Sequence, residues 1–171
     1  LYEIDLSLLE DPTLERLLCA KRRELDYQLT MLATRNTPGF RPASQLQYGA
    51  VQPGLLADAH AVLAAVSEPP QTGRSVDAQQ VAGAAQSLIA SYRAVDDRFD
   101  AQVQVRDDVA SLLVSNGKLM VPSNTAMPAH RLEALLAHEV SVHLLTHFNG
   151  ATQGLTIFRT GLAGYEGVQE G

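Results

Sequence analysis

Several classes of protein are excluded by what this sequence lacks. Cys19 is the only cysteine among 171 residues, so no disulfide can form within the chain and we predict a reducing, cytoplasmic location. No run approaches the ~18 uninterrupted apolar residues of a conventional membrane span. Acidic residues outnumber lysine and arginine by 19 to 13, for a net charge of −6. Without a basic surface, nucleic acid is not an expected partner, and neither is a membrane.

What the sequence does contain is typical of a globular protein. Hydrophobic residues make up 46% of the chain, enough for a sizeable core. The chain starts at Leu1 and stops at Gly171, after a run rich in glycine and glutamate. We therefore expect residues 1–171 to be the N-terminal portion of one domain, truncated at its C terminus. We also expect the remainder of the same polypeptide, or a dimer partner, to cover apolar side chains at Val140, Leu144 and Leu145.

Residues 1–100 are predicted to be mainly helical. Asp11 is a suitable N-cap and Pro12 a suitable first helical residue, and leucines keep a helical period after them. Pro69-Pro70 is expected to stop a later helix. The pattern predicts helices over 11–35, 55–66 and 76–97, an irregular connection over 40–54 and a polar loop over 71–75.

Residues 101–171 are predicted to hold a small sheet followed by helices. Asn116-Gly117 is a strong hairpin signal between two short apolar runs, 112–114 and 119–121. The alternating segment 103–106 is expected to pair beside that hairpin in an antiparallel sheet. A helix is predicted from Pro128 to about Asn149-Gly150, and another from near Gly164. The expected fold class is α+β.

The segment His138-Glu139-Val140-Ser141-Val142-His143 carries the chemical signal. Zinc enzymes use neutral imidazoles to hold the metal and a nearby carboxylate as a base. The usual spacing, HExxH, separates two histidines by only about 40° around a helix, whereas HExxxH separates them by about 140°. One metal ion can then be shared only if a π-bulge widens the turn. We therefore predict a break in helical regularity between His138 and His143.

Other interpretations of the histidines remain open at this point. His147 follows His143 by four residues and could form the metal-binding pair with it, or the histidines could be hydrogen-bonded residues without a metal. His60 and His130 have no partner nearby in sequence and are interpreted as ordinary residues. Glu166 and Glu170 lie downstream and offer carboxylates as a third ligand. The predicted sheet precedes the helix, so an edge strand could hold an extended peptide beside it.

Several motifs in order resemble one family. They are Val105-Arg106-Asp107-Asp108, Leu135-Leu136-Ala137-His138-Glu139-Val140, Gly161-Leu162-Ala163-Gly164-Tyr165 and Gln169-Glu170-Gly171. The sequence resembles the DUF1704 proteins, also called QEGLA-motif or flavohaemoglobin expression-modulating proteins. Their animal relatives are the microtubule-associated tyrosine carboxypeptidases, which remove a C-terminal tyrosine from tubulin. The resemblance is strongest over residues 103–171.

The resemblance implies a zincin-like metallopeptidase. It implies that His138, His143 and Glu170 are zinc ligands, that Glu139 is the general base, and that Glu166 supports a ligand. The expected substrate is the C terminus of a peptide or protein, whose carboxylate needs a cationic clamp; Arg106 and Arg159 are candidates by type. The alternative is a non-catalytic regulatory or binding protein with a structural or vacant metal site. A structural zinc site is closed by four protein ligands, whereas a catalytic one keeps a position for water.

Overall fold

The computed structural model describes residues 1–67 and 73–170, and it is an α+β structure. It comprises two compact units. The first spans Leu1–Pro69 together with Leu162–Gly164, and the second spans Pro70–Gly161 together with Tyr165–Gly171. The predicted helix stop at Pro69-Pro70, the start of the polar loop at 71–72 and the terminal Gly171 lie outside the described residues.

The first unit consists of helices. Its elements are a 3₁₀ turn (Leu6–Leu8), α1 (Pro12–Ala33), α2 (Phe40–Tyr48) and α3 (Leu55–Ala65). The Asp11 carboxylate accepts hydrogen bonds from the N–H groups of Thr13 and Leu14 at 2.7 and 3.1 Å, which confirms the predicted cap of α1. The irregular connection predicted over 40–54 is wrong for 40–48. Pro42 lies in the first turn of α2, where its missing N–H costs no helical hydrogen bond.

Burial in the first unit is sparse. Glu24, paired with Lys21, and Ala43 are its buried residues among those described. The Gly164 N–H also donates to Glu24 Oε1 at 3.4 Å. Helix α3 was predicted correctly, but every one of its residues is exposed, including Leu63 at 74%. Its helical structure is therefore supported by backbone hydrogen bonds and little else.

The second unit contains the sheet. Asp77 caps α4 (Ala78–Val95) through a capping box with Gln80. The helix therefore begins two residues after the predicted start at Val76, which lies in a strand instead. The strands are β1 (Ser75–Asp77), β2 (Gln102–Arg106), β3 (Leu113–Ser115), β4 (Lys118–Pro122) and β5 (Ala126–Pro128). Strands β1 and β5 pair antiparallel in a ladder of their own.

Strand order in the larger sheet is β2-β4-β3. The hairpin of β3 and β4 is confirmed, with Asn116 and Gly117 at φ 50° and 74°, as a type I′ turn requires. The prediction of a wholly antiparallel sheet is wrong, because β2 pairs parallel to β4. Strand β4 is the most apolar of the three, with Leu119 and Val121 fully buried. It therefore occupies the central position between β2 and β3, where both of its edges are covered.

The core lies between α4, β4 and a long interrupted helix. That helix runs through a 3₁₀ turn (Ala129–Arg131), α5 (Leu132–His138), a π-helical turn (Glu139–Leu144) and α6 (Leu145–Ala151). Pro128, predicted to open it, is the last residue of β5. The expectation that Val140, Leu144 and Leu145 lack cover is wrong. Val140 and Leu144 are 0% exposed and Leu145 is partly buried, because α4 and β4 pack on this face.

Two short helices follow α6. They are α7 (Thr156–Arg159) and α8 (Glu166–Gln169), the second being the helix predicted near Gly164. Gly150 of α6 is buried against α7, and a Cβ there would overlap the Phe158 carbonyl oxygen. Among the described helices, none is both long and apolar enough to cross a membrane.

An aromatic row connects the hairpin to α4. The rings of Tyr92 and Phe99 lie 5.1 Å apart, and those of Phe99 and Phe148 lie 4.8 Å apart. A Cβ at Gly117 would stand 3.1 Å from Phe148 Cζ and 3.3 Å from His147 Nε2. The hairpin turn therefore rests directly on α6.

Candidate metal centre

The π-helical turn brings two histidine rings together. Across Glu139–Leu144 the backbone follows a π-helix, so the predicted break in regularity is confirmed. His138 Nε2 and His143 Nε2 lie 3.0 Å apart, with the rings edge to face. The wider turn absorbs the additional residue of HExxxH and cancels the angular divergence of a regular helix.

Glu170 approaches both rings from the C-cap of α8. Its Oε2 lies 3.5 Å from His138 Nε2 and its Oε1 lies 3.4 Å from His143 Nε2. His138, His143 and Glu170 form a group that could hold a metal ion, since their ligand atoms all lie within 4.8 Å of one another. His147 is not a member of this group. The three predicted ligands are therefore brought together, although His143 and Glu170 are 27 positions apart in the chain.

The spacing of the three side chains fits a tetrahedral ion. Two nitrogens bound to one zinc ion at ~2.05 Å lie about 3.3 Å apart. The two imidazole nitrogens lie 3.0 Å apart, and each has one of the two Glu170 oxygens at 3.4 or 3.5 Å, so the three side chains are close enough to share one ion. A direct hydrogen bond between the two rings would also give the 3.0 Å contact. The Glu170 contacts are those of ion pairs with the histidines, and the same arrangement is compatible with one shared ion.

Glu139 is half-buried and lines the same cleft as His138, His143 and Glu170. Burial raises the pKa of its carboxyl, because a charged carboxylate is poorly solvated there, and the negative Glu170 acts in the same direction. His143 and His138 oppose the shift. A carboxyl whose pKa is raised is a stronger base once it has lost its proton.

The cleft around the group has a volume of about 410 Å³. Its lining comes from residues 112–116, which include β3, from the π-helical turn and α6, and from the end of α7 and the end of α8. Three polar side chains also line this space: Thr146, Thr160 and Gln169. Gln169 belongs to the Gln169-Glu170-Gly171 motif, whereas Thr146 and Thr160 stand in no motif and are brought to the cleft only by the packing of α6 and α7.

The two candidate arginines have different surroundings. Arg106 donates two hydrogen bonds of 2.6 Å to the Asp108 carboxylate, and this partner raises the pKa of the guanidinium. Arg159 lines the cleft. His147 lines it too, and its pKa is lowered by burial and secondly by the charge of Arg159.

The remaining predicted residues lie elsewhere. Glu166 begins α8, and its backbone carbonyl accepts the N–H of Glu170 at 2.9 Å. His60 and His130 are exposed, on α3 and on the 3₁₀ turn before α5, and neither belongs to the metal-binding group.

The fold and the site define an α+β protein with a three-residue group able to hold a metal ion. The chain belongs to the microtubule-associated tyrosine carboxypeptidase family, whose model matches residues 1–171. The match extends over the N-terminal helices as well as residues 103–171, where the resemblance was strongest. No curated protein and no solved structure matches the chain. Membership makes this a carboxypeptidase-like protein and supports peptidase activity on a peptide or protein. The narrower assignment to the DUF1704 or QEGLA-motif proteins stays a prediction.

Proposed function

We propose that this protein is a zinc-dependent carboxypeptidase whose ligands are His138, His143 and Glu170. The observation that carries the proposal is the convergence of two imidazole nitrogens and one carboxylate within hydrogen-bonding distances. Two histidines and a glutamate are a frequent ligand set of catalytic zinc, which leaves one position for water. The ligand set therefore supports catalysis more than a closed structural site.

The relation of the site to β3 supports a zincin-like arrangement. Strand β3 is an edge of its sheet, and within the described part of the chain only β4 pairs with it. Its residues line the cleft beside the histidines. An extended peptide can pair with such an edge through its backbone, and this pairing would place the peptide in the cleft beside His138 and His143.

Glu139 is the proposed general base. A zinc ion, when bound, supplies Lewis acidity toward the scissile carbonyl and lowers the pKa of water. The Glu139 carboxylate would accept the proton of the attacking water and return it to the leaving amine nitrogen. Glu139 lines the cleft and directly follows His138 in the chain, and this position supports the role. Glu166 would support Glu170 through its backbone carbonyl, which accepts the Glu170 N–H across the one turn of α8.

The experiment is metal analysis of the purified full-length protein followed by a peptide screen. We expect about one zinc ion per chain, and hydrolysis of peptides at the last peptide bond only. Peptides with each of the 20 C-terminal residues would define the preference. Zinc at full occupancy without hydrolysis of any peptide would favour the regulatory alternative, and the absence of zinc would contradict the proposed ligands.

A further inference from the structure

The charges that line the cleft are unevenly distributed. Glu139 and Glu170 contribute carboxylates, and Arg159 is the only lysine or arginine among the described lining residues. Arg159 is exposed, and no ion pair involves it in the parts of the chain that the structure describes. A permanent cation is therefore available to a ligand in a cleft that is otherwise acidic.

The backbone fixes where Arg159 lies. The absence of a side chain at Gly150 lets α6 approach Phe158 closely, and this contact places the end of α7 beside α6. His147 and Arg159 both line the cleft, and burial and secondly the Arg159 charge lower the pKa of that histidine. His147 follows His143 by four residues, which is about 6 Å along a helix. Arg159 therefore lines the same cleft as the metal-binding group, near the α6 turn that carries His147.

A cation in this cleft suits the end of a peptide. In a substrate cleaved at its last bond, the terminal carboxylate lies one residue, about 3.8 Å, beyond the scissile carbonyl. A guanidinium hydrogen bond adds about 2.8 Å. A guanidinium that holds the carboxylate should then lie about 6–7 Å from the reacting carbonyl, and among the described lining residues Arg159 is the arginine or lysine of the cleft that contains the metal-binding group. We propose that Arg159 binds the terminal carboxylate of the substrate and thereby restricts cleavage to the last residue.

Arg106 is unsuited to the same role. Its guanidinium is engaged by both oxygens of Asp108, and it is not among the residues that line the cleft. It provides a matched control for Arg159, because both residues are exposed arginines of the second unit. The assignment of Arg159 rests on the proposed function, since it takes the metal-binding group as the point of cleavage.

The test is a binding measurement on the zinc-loaded Glu139→Gln protein. The probe is a fluorescent hexapeptide that ends in tyrosine, the residue named in the family description, prepared as the free acid and as the C-terminal amide. We expect the acid to bind at least tenfold more tightly than the amide, as a charged hydrogen bond would give. Adding Arg159→Ala should bring this ratio close to one, Arg159→Lys should leave it intermediate, and Arg106→Ala should leave it unchanged.

Hydrolysis by the zinc-loaded wild-type protein is measured in parallel, so the two proposals can fail separately. An acid-to-amide ratio that Arg159→Ala does not change would overturn the assignment of Arg159, whether or not hydrolysis occurs. Acid-selective binding that depends on Arg159, without hydrolysis of any peptide, would overturn the proposed function and retain the carboxylate site. The assignment would also be overturned if Arg106→Ala lowered the acid-to-amide ratio as much as Arg159→Ala does. The preference for the acid would then depend on the number of positive charges in the protein and not on a contact with Arg159.

Discussion

At the scale of single residues, Glu139 and His143 lie in the same π-helical turn, but we expect their substitution to remove different properties of the protein. Glu139→Gln keeps the size and hydrogen-bonding capacity of the side chain and removes only its basicity. We expect this variant to retain zinc and to lose hydrolysis by at least about 10²-fold, the contribution of a positioned base. His143→Ala should lose the metal itself. Zinc content and turnover measured on the same samples check both, and near-normal turnover of Glu139→Gln would exclude Glu139 as the base.

The pKa of the His147 ring depends in part on the charge of Arg159. Burial and the Arg159 charge hold the pKa of His147 below its ordinary value of 6.5, so the native state favours the neutral ring. Stability from this residue is then present above pH 6.5 and is lost as the pH falls through the native pKa. Arg159→Ala should raise the His147 pKa only part of the way, because burial is the larger cause. An NMR titration of the metal-free protein checks this, with Arg106→Ala as the variant that should not move the resonance.

At the scale of elements, the π-helical turn is an α-helix that holds one additional residue. Deletion of Val142 should restore HExxH spacing on a regular helix while α5 and α6 keep their faces. We therefore expect the deletion variant to bind zinc about as well as the wild-type chain. Insertion of one alanine after Val142 should abolish binding, because it turns the rings apart by about 100°. Zinc titration by calorimetry distinguishes these outcomes, and loss of zinc in the deletion variant would contradict the bulge interpretation.

Replacement by alanine should change the free energy of unfolding in opposite directions at two helical glycines, Gly150 and Gly83. Gly150→Ala places a methyl group into the Phe158 carbonyl, and we expect it to lower the free energy of unfolding by roughly 1–3 kcal/mol. Gly83, in the middle of α4, faces open space. Gly83→Ala should therefore raise the free energy of unfolding by up to about 1 kcal/mol, since alanine favours helix. Urea denaturation of both variants gives the comparison, and equal effects would mean that α7 does not pack closely on Gly150.

Local signals in the sequence predicted the local structure well. The Asp11 cap, the hairpin turn at Asn116-Gly117 and the π-helical turn each depend on residues within about six positions of one another. Helix α2 was missed because Pro42 reads as a breaker until its position in the first turn is known. The parallel pairing of β2 was missed because strand order depends on which strand is buried on both edges. The placement of Arg159 in the cleft depends on the contact of Gly150 with α7, which no spacing in the sequence reveals.

At the scale of the whole molecule, burial is concentrated in the second unit. Helix α4 carries five buried residues, whereas α3 carries none. Amides protected only by solvent-exposed helical bonds exchange by local fraying, and amides in a core exchange by larger openings. We expect the amides of α3 to exchange with deuterium at least about 10³-fold faster than those of the buried face of α4. Hydrogen exchange followed by mass spectrometry checks this, and similar protection in both helices would contradict the burial pattern.

The aromatic row behind the hairpin has a consequence for the size of the cleft opening. The turn that ends β3 touches the edge of Phe148, and Phe148 is backed by Phe99 and Tyr92 from the far side of the core. The ring at position 148 therefore acts as a spacer that sets how far the β3 wall stands from the histidines. A smaller side chain there would narrow the opening without altering any residue that lines it. The width of the cleft beside the metal-binding group would then be set by a residue outside its lining, through the size of one partly buried ring.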